Sequence, residues 1–186
     1  VADEEQMIDK SVLRITRGAI IATAYIGLVA IAPMISFGVV QFRIAEALTI
    51  LPFFWPEAIA GVTLGCLASN LLFGGLGIVD MTLGTLATFL AAVITWQLGK
   101  TKFIWLGALP PIIMNALIVG FYLPVLLMPD AVLNGFGAFS NVVTRFQLMP
   151  FFTQAGLVAL GEIVSVGIIG VLLAYALNKR GLLERD

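Results

Sequence analysis

Gln41-Phe-Arg43-Ile-Ala-Glu46-Ala-Leu-Thr-Ile-Leu-Pro52 places a guanidinium and a carboxylate in a chain that is otherwise as apolar as membrane lipid. If the stretch is helical, positions 43 and 46 stand one turn apart on nearly the same face, where they can pair with each other or share one polar ligand. Charge at membrane depth is costly and by default marks a site; the alternative is a salt bridge tying this segment to its neighbours. A helix over residues 41–51, ended by Pro52 and Pro56, rises only ~16 Å, about half a hydrocarbon core. It is therefore expected to be a partial or tilted span.

The flanking sequence supplies the longer spans. Charge-free runs cover residues 18–42, 58–79, 81–99 and 103–129, against about 20 residues needed per crossing. Of the 186 residues 60% are hydrophobic and 11% charged, outside the usual range of soluble domains. The short alternating segments of a membrane barrel are absent. The expected fold is an all-α membrane protein of six transmembrane helices, over residues 12–32, 41–51, 57–73, 81–98, 103–128 and 151–177. Residues 33–40 and 128–150 are read as connections. This makes residues 1–11 a cytoplasmic tail, 12–178 one six-helix substrate-binding domain and 179–186 a second cytoplasmic tail. The first ten residues are polar and acidic rather than a basic stretch before a short apolar core, so no cleavable signal peptide is expected.

Lys10, Arg14 and Arg17 cluster at the start of the first helix, Lys100 and Lys102 follow the fourth, and Lys179, Arg180 and Arg185 follow the sixth, against Arg145 alone on the other side. Six spans with both ends in the cytoplasm satisfy the positive-inside bias. That topology places Gln41, Arg43, Glu46, Asn70, Thr82, Thr85, Tyr122 and Gln154 in the outer half, Asp80 in an outer loop, and Asn115 and Glu162 near mid-depth. Since each is costly facing lipid, a shared cavity opening outward explains them together. Glu162 has no cation within helical reach in its own segment, so a partner, a ligand donor or a proton must come from elsewhere. Asp80, beside a glycine-rich turn, has a simpler role open to it as the cap of the fourth helix. Ala19, Thr23 and Gly27, and likewise Gly61 and Gly65, recur every four residues and make strips where another helix approaches closely, either within the fold or from a partner.

Several function classes drop out. Net charge is −1 with no basic run, so no nucleic-acid partner is expected. With no histidine and one cysteine, Cys66, inside a span, there is no metal-ligand set, no catalytic constellation and no call for a cofactor. Gly99-Lys100-Thr101 resembles the end of a phosphate loop, but the required earlier glycine falls on Ile94. An active transporter built on this chain must therefore draw energy from another subunit or from an ion gradient.

The run from Val40 through Arg43-Ile-Ala-Glu46-Ala-Leu to Phe54 resembles the QueT family. So do the run from Ile59 to Ala68-Ser69-Asn70, Asp80-Met-Thr-Leu-Gly84-Thr-Leu-Ala-Thr88, Pro110-Pro-Ile-Ile-Met-Asn115 and Gly161-Glu162. The likeness departs at Ala60, where proline is expected before Gly61, and across residues 128–150. The resemblance implies the substrate-binding S component of an energy-coupling factor (ECF) transporter. Such a subunit captures a queuosine precursor, queuine or its aminomethyl-deazaguanine form, from outside for ATP-driven uptake. It implies a transmembrane coupling protein of the EcfT type and two cytoplasmic ATPases of the EcfA type, with the strips on helices 1 and 3 facing the coupling protein. The chain itself would be no enzyme. For such a cargo, Glu46 or Glu162 would accept the ring N–H and amino donors, Arg43, Asn70 or Asn115 would donate to the carbonyl, and Asp80 would meet the aminomethyl arm. Tyr122 or Phe139 would stack on the ring. The alternatives are an S component for another purine-like or vitamin substrate, an oligomeric ion-coupled carrier or channel gated by Glu162 and the Arg43/Glu46 pair, and a ligand-free assembly subunit.

Overall fold

A computed structural model describes residues 2–37 and 42–183. Gln41, placed by its sequence at the start of the second helix, and Arg185 of the C-terminal tail lie outside the described residues, as do positions 38–40 of the first connection. The described chain is all helix, with no strand. Helix α1 (Ala2–Ile31) begins well before residue 12, so the acidic N-terminal segment continues the first helix. After a single turn at Pro33–Ser36 comes α2 (Ile44–Phe53), then α3 (Glu57–Phe73). Long helices α4 (Gly77–Leu98) and α5 (Ile104–Leu126) follow, then a short α6 (Phe136–Thr144) and the longest apolar helix, α7 (Leu148–Lys179).

Residues 10–31, α4, α5 and α7 are each long and apolar enough to cross a bilayer; α2 and α3 are shorter apolar helices. The family of exposed Ile20, Leu64, Leu72, Leu117, Leu160 and Leu172 is what a lipid-facing surface requires, because helices satisfy their backbone internally and can present apolar side chains to hydrocarbon. Helix α1 packs on α3, α5 on α7, and α4 lies against both α3 and α5. The α1–α3 contact is close because of two glycines. A Cβ on Gly61 would stand 2.8 Å from the Gly18 carbonyl, and one on Gly65 would stand 2.7 Å from the Tyr25 Cβ. Gly61 and Gly65 are thus occupied by α1, whereas Ala19, Thr23 and Gly27 remain exposed on the opposite face of α1.

Helix α2 departs from the expected geometry. It is a 3-10 helix for all ten residues and contains Pro52. At ~2.0 Å per residue it extends ~20 Å, further than the α-helical reading allowed, and such long 3-10 runs are uncommon. Every residue from Ala45 to Phe53 is buried, because α2 runs through the middle of the bundle against α1, α4 and the second half of α7. Wide π-helical turns interrupt α4 at Asp80–Gly84 and α7 at Ile163–Gly170.

The connection at 128–150 also differs from an open loop, since it carries α6. Ala138 and Val142 of α6 pack with Val79, Tyr122 and Leu123. The Ile78 amide donates to the Leu133 carbonyl at 3.1 Å, a contact made possible by Gly77, whose φ of 78° and bare Cα let the strand of chain before α6 pass directly over it. At its exposed end Arg145 meets Asp130 at 2.7 Å, and that guanidinium holds the Asp130 carboxyl below the usual aspartate range. Two apolar clusters result, one containing Tyr25, Cys66 and Phe53, the other Val79, Tyr122 and Val142.

Candidate functional site

Polar side chains occupy the layer between these clusters. Arg43 is not the one-turn partner of Glu46 that a helical reading allows. It precedes α2 in extended conformation, and its Nη2 reaches Asp80 Oδ2 at 3.9 Å instead. Its Nε donates to the Ser36 carbonyl at 3.1 Å, Nη1 points to Cys66 Sγ at 4.0 Å, and the guanidinium lies 4.6 Å above the centre of the Phe37 ring. Leaving the helix frees the Arg43 side chain to span toward α3 and α4 rather than run along α2.

Asp80 is neither in an outer loop nor a helix cap. Helix α4 starts three residues earlier, at Gly77, and Asp80 is 1% exposed at the first residue of the π-helical turn. That widened turn aims Asp80 inward, where Oδ1 accepts from the Tyr122 hydroxyl at 2.7 Å. Asn70 of α3 donates to the Asp80 carbonyl oxygen at 3.3 Å and toward Cys66 Sγ at 3.7 Å. Thr88 also donates to that sulfur, at 3.3 Å. Cys66 therefore serves as a shared soft acceptor under Arg43, Asn70 and Thr88.

Glu46 lies on the other side of Arg43. Its Oε1 accepts from the Tyr25 hydroxyl of α1 at 2.5 Å. Asn115 of α5 donates to Glu162 Oε1 of α7 at 2.6 Å and lies within side-chain hydrogen-bonding reach of Glu46 as well. Glu162 is the residue immediately before the π-helical turn of α7, as Asp80 opens that of α4. Such turns shift a helix's register and are frequent at functional sites. Arg43 acts electrostatically on both glutamates, yet its ion pair is with Asp80.

Half of each polar group is unused. Arg43 Nη2, Glu46 Oε2, Asn70 Oδ1, Asp80 Oδ2 and Glu162 Oε2 are buried without a hydrogen-bond partner. One buried group without a hydrogen bond costs about 1–3 kcal/mol, more when charged; Arg43 Nη2 and Asp80 Oδ2 offset part of that cost by facing each other as an ion pair at 3.9 Å. All seven expected binding residues, Arg43, Glu46, Asn70, Asp80, Asn115, Tyr122 and Glu162, are buried in this layer. Thr82 and Thr85 are not drawn in; their hydroxyls donate back to the Ile78 and Met81 carbonyls of their own helix. Gln154 is buried elsewhere on α7, in its first turns. Phe139 packs at the edge of the Tyr122 cluster.

Tyr25, Thr88 and the sulfur of Cys66 belong to the network without being singled out by sequence. A tyrosine in an apolar helix reads as one more large core residue; the available signal was that a Tyr hydroxyl buried in a span needs a partner.

The sequence matches the family described as QueT transporter over residues 15–179. The chain is 30% identical over 175 residues to the queuosine precursor transporter QueT of Lactococcus lactis subsp. cremoris (strain MG1363), covering 90% of this chain and 93% of that protein. No solved structure matches.

Proposed function

The chain belongs to the QueT transporter family, and from that premise we propose that it is the substrate-specific S subunit of an ECF-type ABC transporter for a queuosine precursor. The carrying observation is the set of five buried polar atoms without a hydrogen bond, contributed by Arg43, Glu46 of α2, Asn70 of α3, Asp80 of α4 and Glu162 of α7. Buried polar groups without a hydrogen bond are few in stable proteins and call for a partner, and a cluster of them is what a polar ligand would complete. Queuine and its aminomethyl precursor, flat rings rich in N–H donors, suit a site of four free acceptor oxygens and one free donor. Glu46, Asp80, Asn70 and Glu162 present those oxygens; Arg43 presents the donor; Asn115, Tyr122 and Tyr25 hold the carboxylates in place.

On this reading α1 to α5 and α7 are the six spans, α2 and α3 crossing a locally thin or tilted section, and α6 caps the outer end. The excess of Lys and Arg at residues 10–17, 100–102 and 179–185 supports cytoplasmic termini. Ala19, Thr23 and Gly27 line the open face of α1, where Ile15, Thr16, Ala19, Ile20, Thr23 and Ala24 form a shallow groove. A coupling protein of the EcfT type would seat a helix there, with Gly61 and Gly65 contributing from behind by letting α1 settle on α3. Two EcfA-type ATPases would supply the energy.

The test is a thermal-shift panel on the purified protein in detergent with queuine, the aminomethyl and cyano deazaguanines, guanine and riboflavin. A ligand at a hundred times its dissociation constant adds ~2.7 kcal/mol of stability. A shift for the deazaguanines that Arg43→Ala abolishes is expected. A shift for riboflavin alone would discard the substrate, and no shift for any compound would discard the binding-subunit reading.

A further inference from the structure

The orphan atoms fall into two groups with different chemistry. In the first, Arg43 Nη2 and Asp80 Oδ2 are 3.9 Å apart, and Asn70 is anchored to the Asp80 main chain at 3.3 Å with its own Oδ1 free. Together they present one donor beside two acceptors. Gly84 passes directly behind, since a Cβ there would stand 3.0 Å from the Tyr122 hydroxyl and 3.3 Å from Asn70 Nδ2. The second group holds acceptors only. Glu46 Oε2 and Glu162 Oε2 are free, Glu46 being held through its other oxygen by Tyr25 and Glu162 by Asn115, which also lies near Glu46, and neither is ion-paired by a described residue. Both glutamates are at least nine-tenths buried, at 2% and 4% exposure. Two buried carboxylates without a paired cation are costly until a positive charge joins them.

We propose that the site reads its ligand in two parts: Arg43, Asp80 and Asn70 take the carbonyl, ring N–H and exocyclic amino edge of a 2-amino-4-oxopyrimidine ring, and Glu46 with Glu162 takes an ammonium arm. The first set is complementary to that edge in order, donor to carbonyl, acceptor to ring N–H, acceptor to amino group. The second set supplies charge-assisted acceptors on both sides of a cation. This inference rests on the proposed queuosine-precursor substrate and adds a selectivity to it, for the cationic, amine-bearing precursor over the neutral nitrile-bearing one. It also assigns the arm to the glutamate pair rather than to Asp80, because Asp80 already has Arg43 as its counter-charge.

The experiment measures dissociation constants of the full chain in detergent for aminomethyl-deazaguanine and cyano-deazaguanine, which share the ring edge and differ in the arm. The wild-type protein is expected to bind the amine at least ~10-fold more tightly, the scale of a charge-assisted hydrogen bond. Glu162→Gln and, separately, Glu46→Gln are expected to bring that ratio toward one while the nitrile's affinity stays within ~3-fold. Asn70→Ala should weaken both ligands by the same factor. Equal wild-type affinity for the two compounds overturns the inference, as do Gln variants that weaken or lose both ligands alike. If neither compound binds the wild type, the substrate reading itself fails.

Discussion

Tyr25 shows how much one hydroxyl can decide in this protein. It is fully buried, and its bond to Glu46 Oε1 fixes which oxygen of that carboxylate is left free. Tyr25→Phe keeps the ring packed against Gly65 but releases the carboxylate to rotate. Loss of a hydrogen bond to a charged group is worth ~1.5–3 kcal/mol, so ligand dissociation constants should rise by about 10-fold, read by titration, with the helical content unchanged. A variant that binds like the wild type would show that Glu46 is positioned by Asn115 alone. Residue-level legibility was uneven for a physical reason. Arg43, Glu46, Asn70, Asp80, Asn115 and Glu162 stand out because ionisable or amide groups are expensive in apolar spans. Tyr25 does not, because its cost lies in a single hydroxyl on a large apolar body.

At the scale of the element, the two strips of small residues separate into different uses. The α3 strip is internal. Gly65→Ala would raise helix propensity by ~1 kcal/mol, but the new Cβ would stand 2.7 Å from the Cβ of Tyr25, which is tied to the α1 backbone and cannot swing aside. Overpacking of ~1–3 kcal/mol wins, and the melting temperature should fall. Gly27→Ala on α1 is the matched contrast: nothing stands within 4 Å of its Cβ position, so the propensity gain should appear as a rise. A rise for Gly65→Ala as well would mean that the α1–α3 spacing is not set by Gly65, and a fall for Gly27→Ala that its face of α1 is not open. Periodicity in sequence marked both strips but could not tell them apart, since a small residue against a neighbouring helix and a small residue on an open face have the same spacing.

For the whole molecule, the arrangement links the buried polar layer to the surface through α1, whose inner face carries Tyr25 to Glu46 and whose outer face carries Ala19, Thr23 and Gly27. If that outer face seats the coupling protein, Ala19→Leu combined with Thr23→Leu should leave ligand affinity within ~2-fold while removing most uptake in cells, because bulk there prevents close helix approach. Unchanged uptake would move the docking face elsewhere; lost ligand binding would show that the substitutions disturb the bundle.

The sequence by itself determined the membrane-embedded helical class, the positions of the long apolar helices and the identity of the costly polar residues, because hydrophobicity and charge are local properties that need no partner to be read. Tertiary structure decided what those residues do to one another. Arg43 pairs with Asp80 across helices and not with Glu46 one turn on, α2 is drawn out as a 3-10 helix through the centre, and π-helical turns rotate Asp80 into the interior and begin just after Glu162. The segment at 128–150 folds over Tyr122 as α6. Each of these depends on which neighbour lies within a few ångströms, and that is settled only when all the helices have packed.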